Sequence, residues 1–148
     1  MPQPITITNP ANGEVFAIHI KADFNKDGIA FFTPDDYSQQ LAYMKHKKGH
    51  KIIPHVHNKV ERSVFYTQEV LVIKSGSVRV DFYDLDKKYV LSTVLNAGDV
   101  ILLASGGHGF EVLSDLEMYE IKQGPYVGDD DKTRFDGNIE EIKLYKED

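Results

Sequence analysis

The chain has no cysteine and no tryptophan. Without thiols there are no disulfides and no thiolate metal sites. Positive charge is also in deficit: 17 Lys and Arg face 23 Asp and Glu, for a formal net charge of −6. That argues against a nucleic-acid partner, because neutralising phosphates requires a basic face. The one basic run, Lys45-His-Lys-Lys48, is short and reads as a solvated strand end. No apolar stretch approaches the ~20 residues of a membrane span. The first eight residues, Met-Pro-Gln-Pro-Ile-Thr-Ile-Thr, have neither a basic n-region nor an apolar h-region, so a cytoplasmic location is expected. No Ser sits in a Gly-x-Ser-x-Gly elbow, so nothing supports nucleophilic catalysis. Gly106-Gly-His-Gly109 is too short, and in the wrong context, for a dinucleotide loop.

What is present suits one globular domain over residues 1–148. Hydrophobic residues make up 41% and charged residues 27%, both ordinary values. Eight Tyr and eight Phe supply material for packing or for lining a pocket. Short β-branched and aromatic runs alternate with turn signals. Strands are expected near 15–21, 40–46, 51–57, 63–73, 77–83, 89–95 and 100–103. Two more, at 108–113 and 116–123, are expected to pair across Ser114-Asp115. Asn25-Lys-Asp-Gly28 makes residues 15–32 resemble a hairpin. The tail 138–145 is open between a short helix and a final strand. No βαβ unit is legible, and the pattern argues for an all-β antiparallel sandwich or barrel.

The chemistry concentrates in Gly49-His-Lys-Ile-Ile-Pro-His55-Val-His57, followed by Glu69, Gly76 and His108. On a strand, His55 and His57 point to one face. Three imidazoles and a carboxylate, if they converge, suit a divalent transition metal such as Zn, Fe, Ni or Mn.

These residues resemble the cupin superfamily over about residues 40–123. Its first motif runs Gly, five residues, His-x-His, a short gap, Glu, six residues, Gly. Gly49, His55 and His57 match the first half, and Glu69 and Gly76 the second. The gap between His57 and Glu69 is eleven residues, longer than the family's three or four. Glu61 lies at the usual distance and is the rival ligand. Glu69 is preferred because it alone keeps its spacing to the following Gly. The second motif runs Gly, five residues, Pro-x-Gly, two residues, His. Gly98 to His108 resembles it, with Ala104 in place of Pro and the His one residue early. The family's later Asn has no counterpart.

The resemblance implies a double-stranded β-helix, the cupin-type jelly roll or β-barrel. It implies a metal held by His55, His57, Glu69 and His108, with open positions for Lewis-acid chemistry. Possible pocket liners are Tyr43, Met44, Lys51, Phe65, Arg79, Phe82 and Phe110. The segment 121–135 resembles the ending of small stand-alone cupins associated with bacterial polysaccharide and nucleotide-sugar genes. There, Tyr126 and Arg134 could touch an anionic sugar. The expected function is therefore metal-dependent action on a carbohydrate or sugar nucleotide, of isomerase or epimerase type. An Fe(II)-dependent dioxygenase and a non-catalytic sugar-binding or sensing cupin are the alternatives. No residue has a spacing that names it the catalytic base. The expected partners are a small-molecule substrate and a second copy of the chain, with no nucleic acid and no membrane.

Overall fold

A computed structural model describes residues 2–147. Its strands are β1 (Ile5–Thr8), β2 (Val15–Ile20), β3 (Gly28–Phe31), β4 (Ala42–Lys45), β5 (Glu69–Tyr83), β6 (Tyr89–Asn96), β7 (Val100–Leu103) and β8 (Gly107–Lys122). One 3₁₀ turn, Gly128–Asp131, follows. No helix of the described residues is long and apolar enough to cross a membrane.

The architecture is all-β. Six strands form one antiparallel sheet in the order β1-β2-β7-β5-β6, with β8 also paired to β5. Alternation explains which side is buried. Leu71 and Ile73 of β5, and Ile101 and Leu103 of β7, point to one face. Val78, Val80 and Phe82 reach the same face further along β5. They pack with Ile5, Ile7, Phe16, Leu91 and Leu95 into the main core. The Phe16 and Phe82 rings stack at 5.3 Å between centroids. On the opposite side, Val70, Leu102 and Ala104 form a smaller cluster covered by Tyr37 and Leu41.

The change of parity along β5 has a cause in the register. Irregularities fall between Ile73 and Ser75, between Ser75 and Ser77, and between Ser77 and Val78. Extra residues of this kind bend a strand and increase its twist. Gly76 sits there at φ 80°, in the left-handed region open to glycine. A Cβ at that position would run into the Asp115 carbonyl. The β5–β8 ribbon therefore curls, and the sheet forms a half-barrel with the main core on its concave side.

Several expectations differ from this architecture. Segments 63–73 and 77–83 form parts of one fifteen-residue strand that begins at Glu69. Segments 108–113 and 116–123 do not pair with each other; both belong to β8 and pair with β5. Residues 15–32 are not a hairpin. β2 joins β1 and β7, whereas β3 pairs only with β4 in a separate two-stranded sheet. The tail has one parallel bridge, Ser92 with Leu144. Residues 46–68, where the strand with both histidines was expected, belong to no strand.

Candidate functional site

β8 positions His108 and β5 positions Glu69. The ladder pairs His108 with the core residue Phe82, and Glu69 alternates with the core residues Leu71 and Ile73, so both side chains share the concave face with the core. Curling brings these distant ladder positions together: His108 Nε2 lies 3.6 Å from Glu69 Oε2. The contact is longer than a hydrogen bond and is an ion pair only when the imidazole carries a proton. The side chains are 29% and 14% exposed respectively, so the pair is sheltered yet reachable. Glu69's carboxyl is held below its ordinary pKa, chiefly by the facing His108 imidazole; Glu120 and Lys122 act in the same direction, against burial. That shift favours the carboxylate form and weakens it as a base, so a proton-accepting role rests on its position in the cleft and not on raised basicity.

A cleft of about 1160 Å³ surrounds this pair, lined among others by Glu69, His108, Phe110, Arg79, Asp81 and Tyr83. Register places His108 and Phe110 on the concave face with Phe82 and Val80, and Arg79, Asp81 and Glu111 on the other. The cleft therefore reaches residues of both faces at the Tyr83–Gly107 end of the ribbon. Arg134 and Phe135, from the segment after β8, close one side. Phe135 stacks edge-on against Tyr83 at 5.1 Å. Thr67, just before β5, hydrogen-bonds Asp131 of the 3₁₀ turn, which ties that segment to the cleft mouth.

A charged network that the sequence reading missed lies along one wall. Arg79 holds Asp81 through Nε at 2.7 Å and through Nη2 at 3.1 Å. It also reaches Glu111 at 2.8 Å. Asp81 is buried and accepts from Ser92 Oγ at 2.6 Å. Arg79 is thus a fork between two carboxylates rather than a free surface cation. Its only sequence signal was an acidic residue two positions on, hence on the same strand face.

The expected liners divide. Phe110 and Arg79 line the cleft, and Phe82 is core. Tyr43 and Met44 lie on the separate β3–β4 sheet. Lys51 and Phe65 are exposed on the segment before β5. Arg134 lines the cleft, and Tyr126 is exposed.

His55 and His57 lie on that same exposed segment, with ring centroids 5.3 Å apart. The His55 Nδ1 contact to the Ile53 carbonyl, at 2.8 Å, is local. Glu61 is exposed there too. One chain thus brings Glu69 to His108 and His55 to His57, but not the two pairs to each other. No group of three or more metal-binding side chains occurs among the described residues. The donors of one chain therefore do not fit a metal by themselves, and no chemical step is routed through one.

A second, smaller cleft of about 460 Å³ lies by His19, Lys21, Asp99 and Tyr145. Its buried acid is fully engaged. Asp99 takes His19 Nε2 at 3.0 Å and the backbone N–H groups of Ala22 and Asn96 at 2.9 Å each. Such a carboxylate braces the β2–β7 end of the sheet.

No protein-family model, curated protein or solved structure matches the chain.

Proposed function

We propose that the chain is a cupin-type protein acting on a carbohydrate or sugar-nucleotide substrate, in an isomerase- or epimerase-like reaction at the concave cleft. One observation carries this: an ionised carboxylate, Glu69, and an imidazole, His108, face each other in a sheltered cleft large enough for such a ligand. Isomerisation next to a carbonyl needs a group that removes a proton from carbon and one that supplies a proton to oxygen. Glu69 suits the first task and His108 the second. Phe110 offers a flat apolar surface, and Arg134 offers a cation for phosphate oxygens.

The half-barrel supports a double-stranded β-helix with one side open, as the cupin resemblance implies. That resemblance also implies a divalent metal. Such a centre would take Glu69 and His108 as ligands together with His55 and His57 of the segment before β5, which one chain does not bring to them, and would supply Lewis-acid chemistry in place of the acid–base roles given above.

The test is proton exchange. The protein is incubated in D₂O with a keto-sugar nucleotide and followed by ¹H NMR. Loss of the proton signal on the carbon beside the carbonyl, abolished in Glu69→Gln, supports the reading. Oxygen consumption with Fe(II) would replace it with the dioxygenase reading. A ligand-induced rise in melting temperature without exchange would replace it with the sensing reading.

A further inference from the structure

Two parts of the fold lack partners. The outer edge of β8 is the first. Among the described residues β8 is bonded only to β5, so along this sixteen-residue strand alternate residues present free N–H and C=O groups at the outer edge. A long exposed edge of this kind is a template for another strand. Leu113, Tyr119 and Ile121 are exposed on its outer side, and Phe110 and Val112 on its concave side.

The second is the segment 46–66. It belongs to no strand, and from His50 to Phe65 it contains no turn that would return it to its own β8. Its apolar side chains stand in water: Val56 is 86% and Phe65 is 90% exposed. Part of its pattern alternates as in a strand: Ile52, Val56, Val60 and Val64 fall at even positions and His55, His57 and Glu61 at odd ones, whereas Ile53 and Phe65 are odd and Asn58 and Arg62 even. Extended, sixteen residues span about 50 Å, ample to run the length of β8.

Charge matches the two. The segment carries Lys47, Lys48, Lys51, Lys59 and Arg62 against Glu61, whereas β8 carries Glu111, Asp115, Glu117 and Glu120 against Lys122. The β3–β4 sheet that leads into the segment also has an unpartnered apolar face. Ile29 and Met44 are directly opposite in its register, and with Phe31 all three are exposed.

We infer that residues 46–66 form an exchanged arm: the arm of one copy pairs along the free β8 edge of a second copy, and reciprocally. Such an exchange is isologous and closes as a two-fold dimer. It covers both unpaired surfaces at once. The even row of the arm then packs beside Leu113, Tyr119 and Ile121. The odd row, with His55 and His57, faces the concave side where Glu69 and His108 wait. The site would be completed by two chains, four side chains meeting where one chain brings two. That last step rests on the reading of the cleft given above; the strand pairing does not.

Cross-linking decides it, helped by the absence of native cysteine. Full-length Val56→Cys and Leu113→Cys chains, carrying different affinity tags, are co-expressed and treated with a short bismaleimide. The expected product contains both tags, and untreated wild-type protein has twice the chain mass by light scattering. A monomeric mass at tens of micromolar overturns the inference. So does a Val56→Cys/Leu113→Cys chain that links only within itself. A cross-linked dimer that fails the sugar exchange test would remove the cleft reading and leave the arm exchange standing.

Discussion

Glu69 and His108 touch through their side chains although the β5–β8 ladder pairs each with a residue at the other's far end: Glu69 with Lys122, His108 with Phe82. Only a curled ribbon can do this. The functional reading thus depends on the bend at residues 73–78 as much as on the two side chains.

Glu69→Gln keeps the size of the side chain and removes its charge and basicity. Loss of a positioned general base lowers rate by about 10²–10⁴-fold. Solvent-proton exchange into a keto-sugar nucleotide should fall by that factor, with the melting temperature nearly unchanged. His108→Gln should lower it too. Equal exchange rates in wild type and Glu69→Gln would show that the carboxylate is not the base.

Gly76→Ala tests the bend. The left-handed φ costs a non-glycine residue about 1–2 kcal/mol, and the clash with the Asp115 carbonyl adds to it. The expected result is a urea midpoint lowered by at least that strain, with weakened amide protection at Ser75–Ser77 and Ser114–Leu116. A variant as stable as wild type would mean that the ribbon bends elsewhere.

Legibility in the sequence followed the same division. Alternation with a buried face placed β6, β7 and the second half of β5 within a residue or so. It could not show that β5 and β8 each run through their glycine or Ser-Asp interruptions. Turn residues mark a bend equally well whether the chain reverses or curls onward. The His-x-His pair was legible as chemistry, and the structure leaves its segment unpaired. Pattern alone could not reveal that, because strand periodicity does not say which strand, or whose, completes the sheet. Glu69 and His108 entered as members of the metal set that the cupin resemblance implies; spacing did not say that they touch as a pair, and their contact follows from curvature. The Arg79–Asp81–Ser92 network crosses from β5 to β6, and no local motif announces it.

Arg79→Ala would leave the buried Asp81 carboxylate with Ser92 alone. Stripping one partner from a largely buried ion pair costs about 3–5 kcal/mol; with Arg79 17% exposed, the lower end applies. Arg79→Lys should recover only part of this, because an ammonium cannot fork. Urea unfolding of the three proteins measures both effects.

Asp99 gives a pH dependence of known sign. Burial raises its pKa, but the His19 contact and the Asn96 and Ala22 N–H groups outweigh burial, so the net shift is downward. A carboxyl with a depressed folded-state pKa binds protons less readily when folded. Its contribution is complete above the unfolded value of about 3.9 and disappears as pH falls through the folded value. Between pH 5 and pH 2 the urea midpoint of wild type should therefore fall more steeply than that of Asp99→Asn. At neutral pH that variant should already be about 3 kcal/mol less stable. Parallel curves would show that Asp99 does not titrate with folding.

The central claim is that ligand binds in the concave cleft at Glu69 and His108. Mapping UDP-glucose binding by chemical-shift perturbation tests it most directly. The account expects shifts centred on Glu69, His108, Phe110 and Arg134. Shifts confined to His19, Lys21, Asn96 and Tyr145 around the smaller cleft would contradict it.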